Sequence, residues 1–365
     1  MTKAVEWDRL PDELVDLIAN HLFSDVELLR LRTICRYWRS AVVLVPKKRF
    51  PNRHDRNRKR ILSTHGGKPC LLSPTAFFRV VRSSCPSKGW LIKTLDLSES
   101  ESRKRLLRPL SRDLIKPSAQ TLDLLGYTVS ELHQSYDVQY VENSIRVSAK
   151  FARVVLVDDL VFAVDGEKKI WWCNSKESSK EDAAWTRIRD EEVEIFADII
   201  VNKGQIYALD LKGAVWWISK SELNIFQYGP STPLDDYYVR YNCKDKRLVE
   251  YCGDICVVHR FCQKSCVRRV TIERTVGFKV YKMNEESVEW VEVKSLGDRA
   301  FVMAKDSCFS VLASEYYGCL ENSVYFTDEE EEDNVKVFKL GDGSVTKMVK
   351  SSSQSCFRFV SPPFL

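Results

Sequence analysis

The chain has 365 residues, more than the roughly 100–200 of an average domain, so its length predicts two units or one large all-β unit. Its 44% hydrophobic and 29% charged residues are typical of a folded protein with a sizeable core, which excludes a disordered or fibrous chain. No apolar run approaches the roughly 20 residues of a membrane-spanning helix, and the first thirty residues lack the apolar stretch of a secretory signal. We therefore expect neither a membrane protein nor an exported one, and we interpret the twelve cysteines as reduced thiols.

Helical periodicity dominates residues 10–45, beginning with a clear apolar stripe. That stripe consists of Leu14, Leu17, Ile18 and Leu22. Ser24 and Glu27 have the spacing of a capping box, which predicts the start of a second helix. A third apolar face continues until Pro46, which ends it because proline lacks the amide hydrogen that a helix needs. The pattern predicts three short helices in about forty residues.

Such a small helical unit buries little surface, and units below roughly 40 residues usually need a metal, a disulfide or a partner to be stable. Residues 1–45 resemble the F-box motif through a Leu-Pro pair and a Cys-x-x-Trp-Arg segment at the motif's spacing. The matching positions are Leu10, Pro11, Leu14, Ile18, Leu22, Cys35 and Trp38. The resemblance implies that these residues bind a Skp-type adaptor, which joins the chain to a cullin scaffold. We expect Leu10 and Trp38 to contribute much of the binding energy, because large buried side chains dominate most interfaces. The alternative is a three-helix cap on the larger domain.

A basic segment follows the helices and is expected to be a linker over residues 46–69. Residues 47–60 hold eight Lys or Arg and one Asp, so their net charge of +7 exceeds the +5 of the whole chain. The candidate nuclear-import signal consists of Lys47, Lys48, Arg49, Arg56, Arg58, Lys59 and Arg60. A solvated connection is the open alternative, whereas nucleic-acid binding is not favoured because Phe50 is the one Phe, Tyr or Trp of the segment. We accordingly expect the protein in the nucleus, the cytoplasm or both.

Beyond Cys70 the pattern changes to short β-branched and aromatic stretches bounded by turn residues, and one of these stretches repeats. The two clearest copies are residues 161–165 with Trp171 and Trp172, and residues 206–210 with Trp216 and Trp217, at an offset of 45 residues. Residues 324–328 form a degenerate third copy without the tryptophan pair. A period of about 40–50 residues made of short strands is typical of β-propeller blades, whose large aromatic side chains fill the space between adjacent sheets. Residues 70–365 therefore predict an all-β, propeller-like domain of about six degenerate blades.

This region also resembles the F-box-associated domain of the plant SKIP/KIB-like F-box proteins. The matching segments are residues 89–91, 106–112, 296–301, 309–311 and 322–328. The expected fold class is thus α + β multidomain, with a small three-helix F-box followed by the propeller-like domain. The resemblance implies a substrate-recognition subunit of an SCF (Skp-cullin-F-box) ubiquitin ligase that brings a protein substrate to the ligase. Two alternatives stay open, a propeller that binds a partner outside any ligase and a propeller enzyme capped by its helices.

Candidate chemistry is sparse along the rest of the chain. The best candidate for a metal site is a cluster of Cys243, Cys252, Cys256, Cys262 and Cys266 with His259 among them, because thiolates and imidazole are the preferred ligands of zinc. The predicted strand over residues 255–260 would point neighbouring side chains to opposite faces, so we expect no metal. The common metalloprotease, hydrolase and phosphate-loop motifs do not occur, which predicts no cofactor and a non-catalytic protein. Six acidic residues at 328–333 are predicted to form a solvated hairpin loop.

Overall fold

The computed structural model describes residues 10–21, 30–32, 34–41, 60–65, 68–98, 101–115, 126–142, 145–149, 151–175, 185–190, 192–233, 242–267, 270–284, 286–328, 331 and 334–348. Two α-helices lie near the start of this part of the chain, α1 (Asp12–His21) and α2 (Arg36–Ala41). The helix predicted to begin at Ser24 falls largely outside the described residues. Among the helices that are described, none is long and apolar enough to cross a membrane.

The first sheet is the largest and has the longest strands. Its strands are β1 (Arg60–His65), β2 (Lys68–Arg82), β3 (Cys85–Ser98), β4 (Glu101–Leu107), β5 (Tyr127–Glu142) and β6 (Ile145–Ser148). They are ordered β4-β3-β2-β5-β6, with β1 paired to β2. Strands therefore begin at Arg60 and Lys68, inside the range expected to be a linker.

Four further sheets follow in chain order. Sheet 2 contains β7 (Arg153–Val157), β8 (Leu160–Val164), β9 (Ile170–Asn174) and β10 (Thr186–Arg187). Sheet 3 contains β11 (Phe196–Asn202), β12 (Gln205–Asp210), β13 (Val215–Ile218) and β14 (Ile225–Gly229). Sheet 4 contains β15 (Asn242–Tyr251), β16 (Asp254–Val267), β17 (Val270–Asn284) and β18 (Glu289–Glu292). Sheet 5 contains β19 (Arg299–Met303), β20 (Cys308–Leu312), β21 (Ser323–Phe326), β22 (Lys336–Lys339) and β23 (Val345–Lys347), ordered β20-β19-β21-β22-β23.

The five sheets pack face to face in a closed ring, because every sheet shares a buried core with the sheet before it and the sheet after it. Representative pairs are Leu72 with Val161, Phe162 with Trp216, Leu209 with Val257, Phe278 with Phe326, and Phe309 with Phe77. The last pair closes the ring between sheets 5 and 1, with ring centroids 4.8 Å apart. Both faces of each sheet are thereby covered, which is how propeller blades protect apolar strands.

The propeller-like architecture after a helical region is confirmed, but the prediction of about six blades was wrong, since the described residues form five sheets. The 45-residue period describes sheets 2 and 3, where the repeat was found. Sheet 1 uses strands of 14 to 16 residues at β2, β3 and β5, and sheet 4 uses strands of up to 15 residues. Longer strands consume more chain per blade, so a count based on the shortest blades is too high.

The sequence repeat corresponds to one arrangement of hydrogen bonds that occurs in two hairpins. The carboxylate of Asp165 accepts hydrogen bonds from the backbone of Lys169 (2.8 Å) and from the indole Nε1 of Trp171 (2.7 Å). The carboxylate of Asp210 likewise accepts hydrogen bonds from the backbone N–H of Ala214 (2.8 Å) and from the indole Nε1 of Trp216 (3.1 Å). Each aspartate thus closes the turn and pairs the indole N–H of a tryptophan that packs between sheets, which removes the cost of burying that polar group. Trp171 and Trp216 therefore pack between sheets, as the sequence predicted for the large aromatic side chains.

Candidate functional site

The helical unit has its own small core. Val15 and Ala19 of α1 are fully buried against Leu31 and Trp38. Trp38 lies in α2, where its backbone N–H donates to the Sγ of Cys35 at 3.3 Å. Because Cys35 directly precedes α2, this bond satisfies one of the free donors at the start of the helix.

A second face of the same unit is apolar and exposed. This exposed apolar face consists of Leu14, Leu17, Ile34 and Tyr37, which are 45%, 53%, 58% and 38% exposed. Tyr37 lies beside the start of α1, since a hydrogen bond to Asp12 raises the pKa of its phenol. The face therefore extends across both helices. Single exposed apolar residues are ordinary, but four of them on so small a unit form a candidate interaction surface.

The structure separates the predicted adaptor-binding residues by environment. Pro11 and Leu14 are exposed, while Leu10, Ile18 and Cys35 are half-buried around the unit's core. Trp38 is buried within that core, and Leu22 lies outside the described residues. Trp38 packs inside the unit, whereas Leu10 is only half-buried at the edge of its core, and the role expected of both at an adaptor interface stays a prediction.

Three residues of the exposed apolar face were missing from the predicted set, namely Leu17, Ile34 and Tyr37. A helical wheel could have found Leu17, because 100° per residue places Leu14 and Leu17 together on one side of Val15 and Ala19. The apolar stripe of α1 therefore includes residues of two kinds. Ile18 packs against the core of the unit, whereas Leu14 and Leu17 remain exposed to solvent.

The remaining sequence candidates lie apart from this face. Six residues of the basic candidate, Lys47, Lys48, Arg49, Arg56, Arg58 and Lys59, fall outside the described residues, whereas Arg60 begins β1. The acidic run at residues 328–333 was predicted to be a solvated loop, but its first residue, Asp328, is buried. Asp328 accepts hydrogen bonds from Arg260 (2.8 Å), Thr275 (2.6 Å) and Lys336 (2.6 Å), so it joins sheet 4 to sheet 5. Burial alone would raise the pKa of Asp328. The hydrogen bonds from Lys336 and Thr275 and the charge of Arg260 outweigh burial and hold this pKa below its ordinary value.

The cysteine and histidine cluster does not converge on one point. Cys256 and Cys262 are buried in β16, while Cys252 and Cys266 are exposed. The Nε2 atom of His259 lies 3.1 Å from the hydroxyl of Thr232. Burial raises the pKa of Cys256 to about 12, which keeps its thiol protonated and makes it a poor ligand. Within the described residues, no group of three His, Cys, Asp or Glu side chains is arranged to hold a metal.

A cavity of about 280 Å³ lies at the axis of the ring, where one strand from each of the five sheets contributes to its wall. These strands are β5, β7, β11, β15 and β20. The lining residues are 133–136, 153–156, 198–201, Leu248 and 306–308. The cavity could not be predicted from the sequence, because its walls come from residues that are far apart in the chain.

Two buried ion pairs flank the axis. Lys93 Nζ lies 2.7 Å from Asp306 Oδ1, and the hydroxyl of Ser135 donates to Asp306 Oδ2 at 2.7 Å. Burial alone would raise the pKa of Asp306, but the charges of Lys93 and Arg112 hold it well below its ordinary value. This pair joins sheet 1 to the turn that precedes β20.

The second ion pair joins the other sheets around the axis. Arg153 Nε donates to Asp198 Oδ1 at 2.8 Å, and the backbone N–H of Leu248 donates to Asp198 Oδ2 at 2.9 Å. Arg153 Nη1 also donates to the backbone carbonyl of Lys305. Sheets 2, 3, 4 and 5 are thereby connected through one arginine and one aspartate.

His133 is a further titratable side chain of the cavity wall. Burial lowers its pKa to about 4, so the imidazole is neutral at pH 7. Its ring stacks on Phe309 with a centroid distance of 5.1 Å. The cavity therefore has no unpaired charge among the residues described.

Two family models match the chain. A model of the KIB1-4 beta-propeller matches residues 68–339, and an F-box-like model matches residues 7–44. The chain is 63% identical to F-box protein At4g35733 of Arabidopsis thaliana, with 100% of both chains covered. It is 49% identical to F-box protein At2g26160 of the same plant, over 88% of this chain and 96% of the relative. F-box protein SKIP23, also from Arabidopsis thaliana, is 28% identical over 88% of this chain and 84% of its own length.

Proposed function

We propose that this chain, which belongs to the F-box proteins that carry a KIB1-4 β-propeller, is the substrate-recognition subunit of an SCF ubiquitin ligase. In this proposal the helical unit docks on a Skp-type adaptor, which links it to a cullin scaffold. The propeller holds a protein substrate, and ubiquitin is transferred by other subunits.

The exposed apolar face is the observation that carries this proposal. Leu14, Leu17 and Ile34 leave about half of their side-chain surface in water, although the unit itself has few buried apolar residues. Fully burying a Leu or Ile side chain contributes roughly 1.5–3 kcal/mol, so covering this face would stabilise both the complex and the fold of the unit. A partner with an apolar groove is therefore the occupant that the face fits.

The proposed role in ubiquitination is positional. A receptor that holds a substrate close to a charged ubiquitin carrier raises the effective concentration of the reacting groups without bond chemistry of its own. The closed ring of sheets suits this role, because it is a rigid body whose loops can vary without disturbing the cores between sheets.

The test is co-expression of the full chain with a Skp-type adaptor, followed by size-exclusion chromatography. We expect a stoichiometric complex for the natural chain and its loss in Leu17→Asp, because a carboxylate at the centre of an apolar interface would be buried without a partner. The matched control is Val291→Asp, which introduces the same charge at a residue of β18 that is also 53% exposed. A complex that survives Leu17→Asp and Ile34→Asp together would refute docking through this face.

A further inference from the structure

The two long strands of sheet 4 extend beyond the rest of that sheet. β16 and β17 stay paired as far as Val267 and Val270. The neighbouring strand β15 reaches only Cys262, and β18 pairs only with residues 281–284. Within the described part of the chain, the ends of β16 and β17 therefore pair only with each other. We call this two-stranded projection, residues 263–274, the ribbon.

The ribbon is largely surrounded by solvent. None of its described side chains is buried, and six of them are exposed. These six are Gln263, Lys264, Ser265, Cys266, Thr271 and Arg274. Two strands without a packed face are marginally stable at best in water, so a projection of this kind gains stability from contact with a partner.

The base of the ribbon is fixed between sheets 4 and 5. Arg260 donates hydrogen bonds to the hydroxyl of Thr275 and to the carboxylate of Asp328, both at 2.8 Å. The backbone N–H of Thr275 also donates to Asp328, at 3.3 Å. Because this N–H is directed to sheet 5 and not to β16, it lies on the outer edge of β17. A carboxylate thus already binds this edge at the point where the ribbon begins.

The same edge continues along the ribbon. Backbone groups on one edge of a strand recur at every second residue, so the N–H groups of Glu273 and Thr271 point the same way as that of Thr275. The neighbouring strand β18 does not reach them, and no other described strand pairs with this edge. Such an edge binds an extended polypeptide by taking it up as a further strand.

The charge of the ribbon indicates the chemistry of that polypeptide. Residues 263–274 hold four Lys or Arg and one Glu, which gives a net charge of +3. The single acid, Glu273, is paired with Lys244 of β15 at 2.7 Å. An acidic segment therefore complements the ribbon, since it would meet several positive charges and one carboxylate that is already neutralised.

The arrangement of these charges favours a polypeptide over a nucleic acid. Lys264 lies opposite Glu273, and Arg274 lies opposite Gln263, so the two basic side chains point to opposite faces of the ribbon. The groove of a duplex would contact one face, whereas a strand beside the edge directs its own side chains alternately to both. The ribbon also has no Phe, Tyr or Trp on which single-stranded bases could stack.

We infer that the ribbon is a docking arm for an extended acidic segment of a partner protein. The segment pairs with the outer edge of β17 and places carboxylates beside Lys264 on one face and Arg274 on the other. This inference deepens the proposed function, on which it rests for taking the partner to be a substrate of the ligase. Docking of the segment itself needs no adaptor.

The test measures fluorescence anisotropy of labelled probes with the full chain, without adaptor, at physiological ionic strength. The probes are a peptide of alternating Glu and Thr, a peptide of alternating Gln and Thr of equal length, and a DNA duplex. We expect saturable binding of the Glu peptide that weakens as salt is added, because exposed ion pairs are screened. The Gln peptide should bind at least about fourfold more weakly, since each of up to four exposed ion pairs contributes about 1.4- to 5-fold.

The discriminating variant combines Lys264→Gln, Arg268→Gln, Arg269→Gln and Arg274→Gln. It should lose at least about fourfold in affinity for the Glu peptide. The matched control combines Lys47→Gln, Lys48→Gln, Arg49→Gln and Arg56→Gln, which removes the same charge from the basic segment and should change the affinity by less than about twofold. Thermal unfolding of both variants verifies that each is folded.

The inference is overturned if the Glu peptide shows no saturable binding, or if the ribbon variant binds it as the natural chain does. It is also overturned if the basic-segment variant loses as much affinity as the ribbon variant, or if the DNA duplex binds more tightly than the Glu peptide. None of these measurements involves the adaptor, so a failure here is distinguishable from a failure of adaptor docking.

Discussion

At the scale of single residues, buried charges hold this propeller together where sheets meet. Lys93 is completely buried, yet it has three partners, the carboxylate of Asp306, the backbone carbonyl of Ser111 and the ring of Phe77 at 5.0 Å. Taking such a charge out of water costs several kcal/mol, which is offset only when the remaining hydrogens are paired. The pair is therefore sensitive to the loss of either partner.

Replacing Asp306 with asparagine should leave the charge of Lys93 buried without compensation. We expect Asp306→Asn to lower the free energy of unfolding by about 3–5 kcal/mol, measured by urea denaturation at pH 7. The control is Asp158→Asn, which removes an exposed carboxylate that pairs with Lys220. Asp158 has a left-handed backbone conformation, which asparagine tolerates. We expect this control to change the free energy of unfolding by less than about 1 kcal/mol.

The pair of Lys93 and Asp306 also predicts how the free energy of unfolding depends on pH. The pKa of Asp306 is lower in the folded protein than its ordinary value of 3.8, so its contribution is fully present above that value and is lost as the pH falls through the lowered pKa. The difference between the natural chain and Asp306→Asn should therefore shrink below about pH 4. A difference that grew towards acid, or that was absent at pH 7, would show that the pair does not stabilise the fold.

Single residues also show which contacts are visible in a sequence. The pairing of Asp210 with Trp216 could be found as a repeat, because both partners lie in one hairpin and the same spacing recurs at Asp165. The pairing of Lys93 with Asp306 could not, because the two residues come from the first and last sheets and only the closed ring brings them together.

At the scale of elements, α1 explains why one helical pattern led to a set of candidate residues that lie in two different environments. Periodicity identifies the apolar stripe but does not distinguish the side that packs on α2 from the side that remains in solvent. Trp38 and Ile34 illustrate the difference, since they are 6% and 58% exposed although they lie four residues apart in the same motif.

This difference leads to opposite effects of two alanine substitutions. Trp38→Ala should unfold the helical unit, because truncating a buried tryptophan costs about 3–5 kcal/mol in a unit with a very small core. Ile34→Ala should leave the helices intact and weaken adaptor binding, because it removes contact area only from the exposed face. Circular dichroism and adaptor titration of both variants separate the two effects, and normal folding of Trp38→Ala would contradict the assignment of Trp38 to the core.

At the scale of the whole molecule, the sequence predicted the order of the parts better than their number. The change from helical to strand periodicity and the repeat in sheets 2 and 3 were sufficient for a propeller preceded by helices. The number of sheets depends on strand length, and sheets 1 and 4 have long strands without the repeat. The axial cavity depends in turn on closure of the ring, which no local pattern contains.

The central claim is a division of labour in which the helices bind the adaptor and the propeller does not. Hydrogen–deuterium exchange of the full chain, with and without a Skp-type adaptor, tests this claim most directly. We predict slower exchange over residues 12–21 and 34–41 when the adaptor is bound, and unchanged exchange in the strands of the five sheets. Protection centred on the propeller strands, with the helices unaffected, would contradict the account.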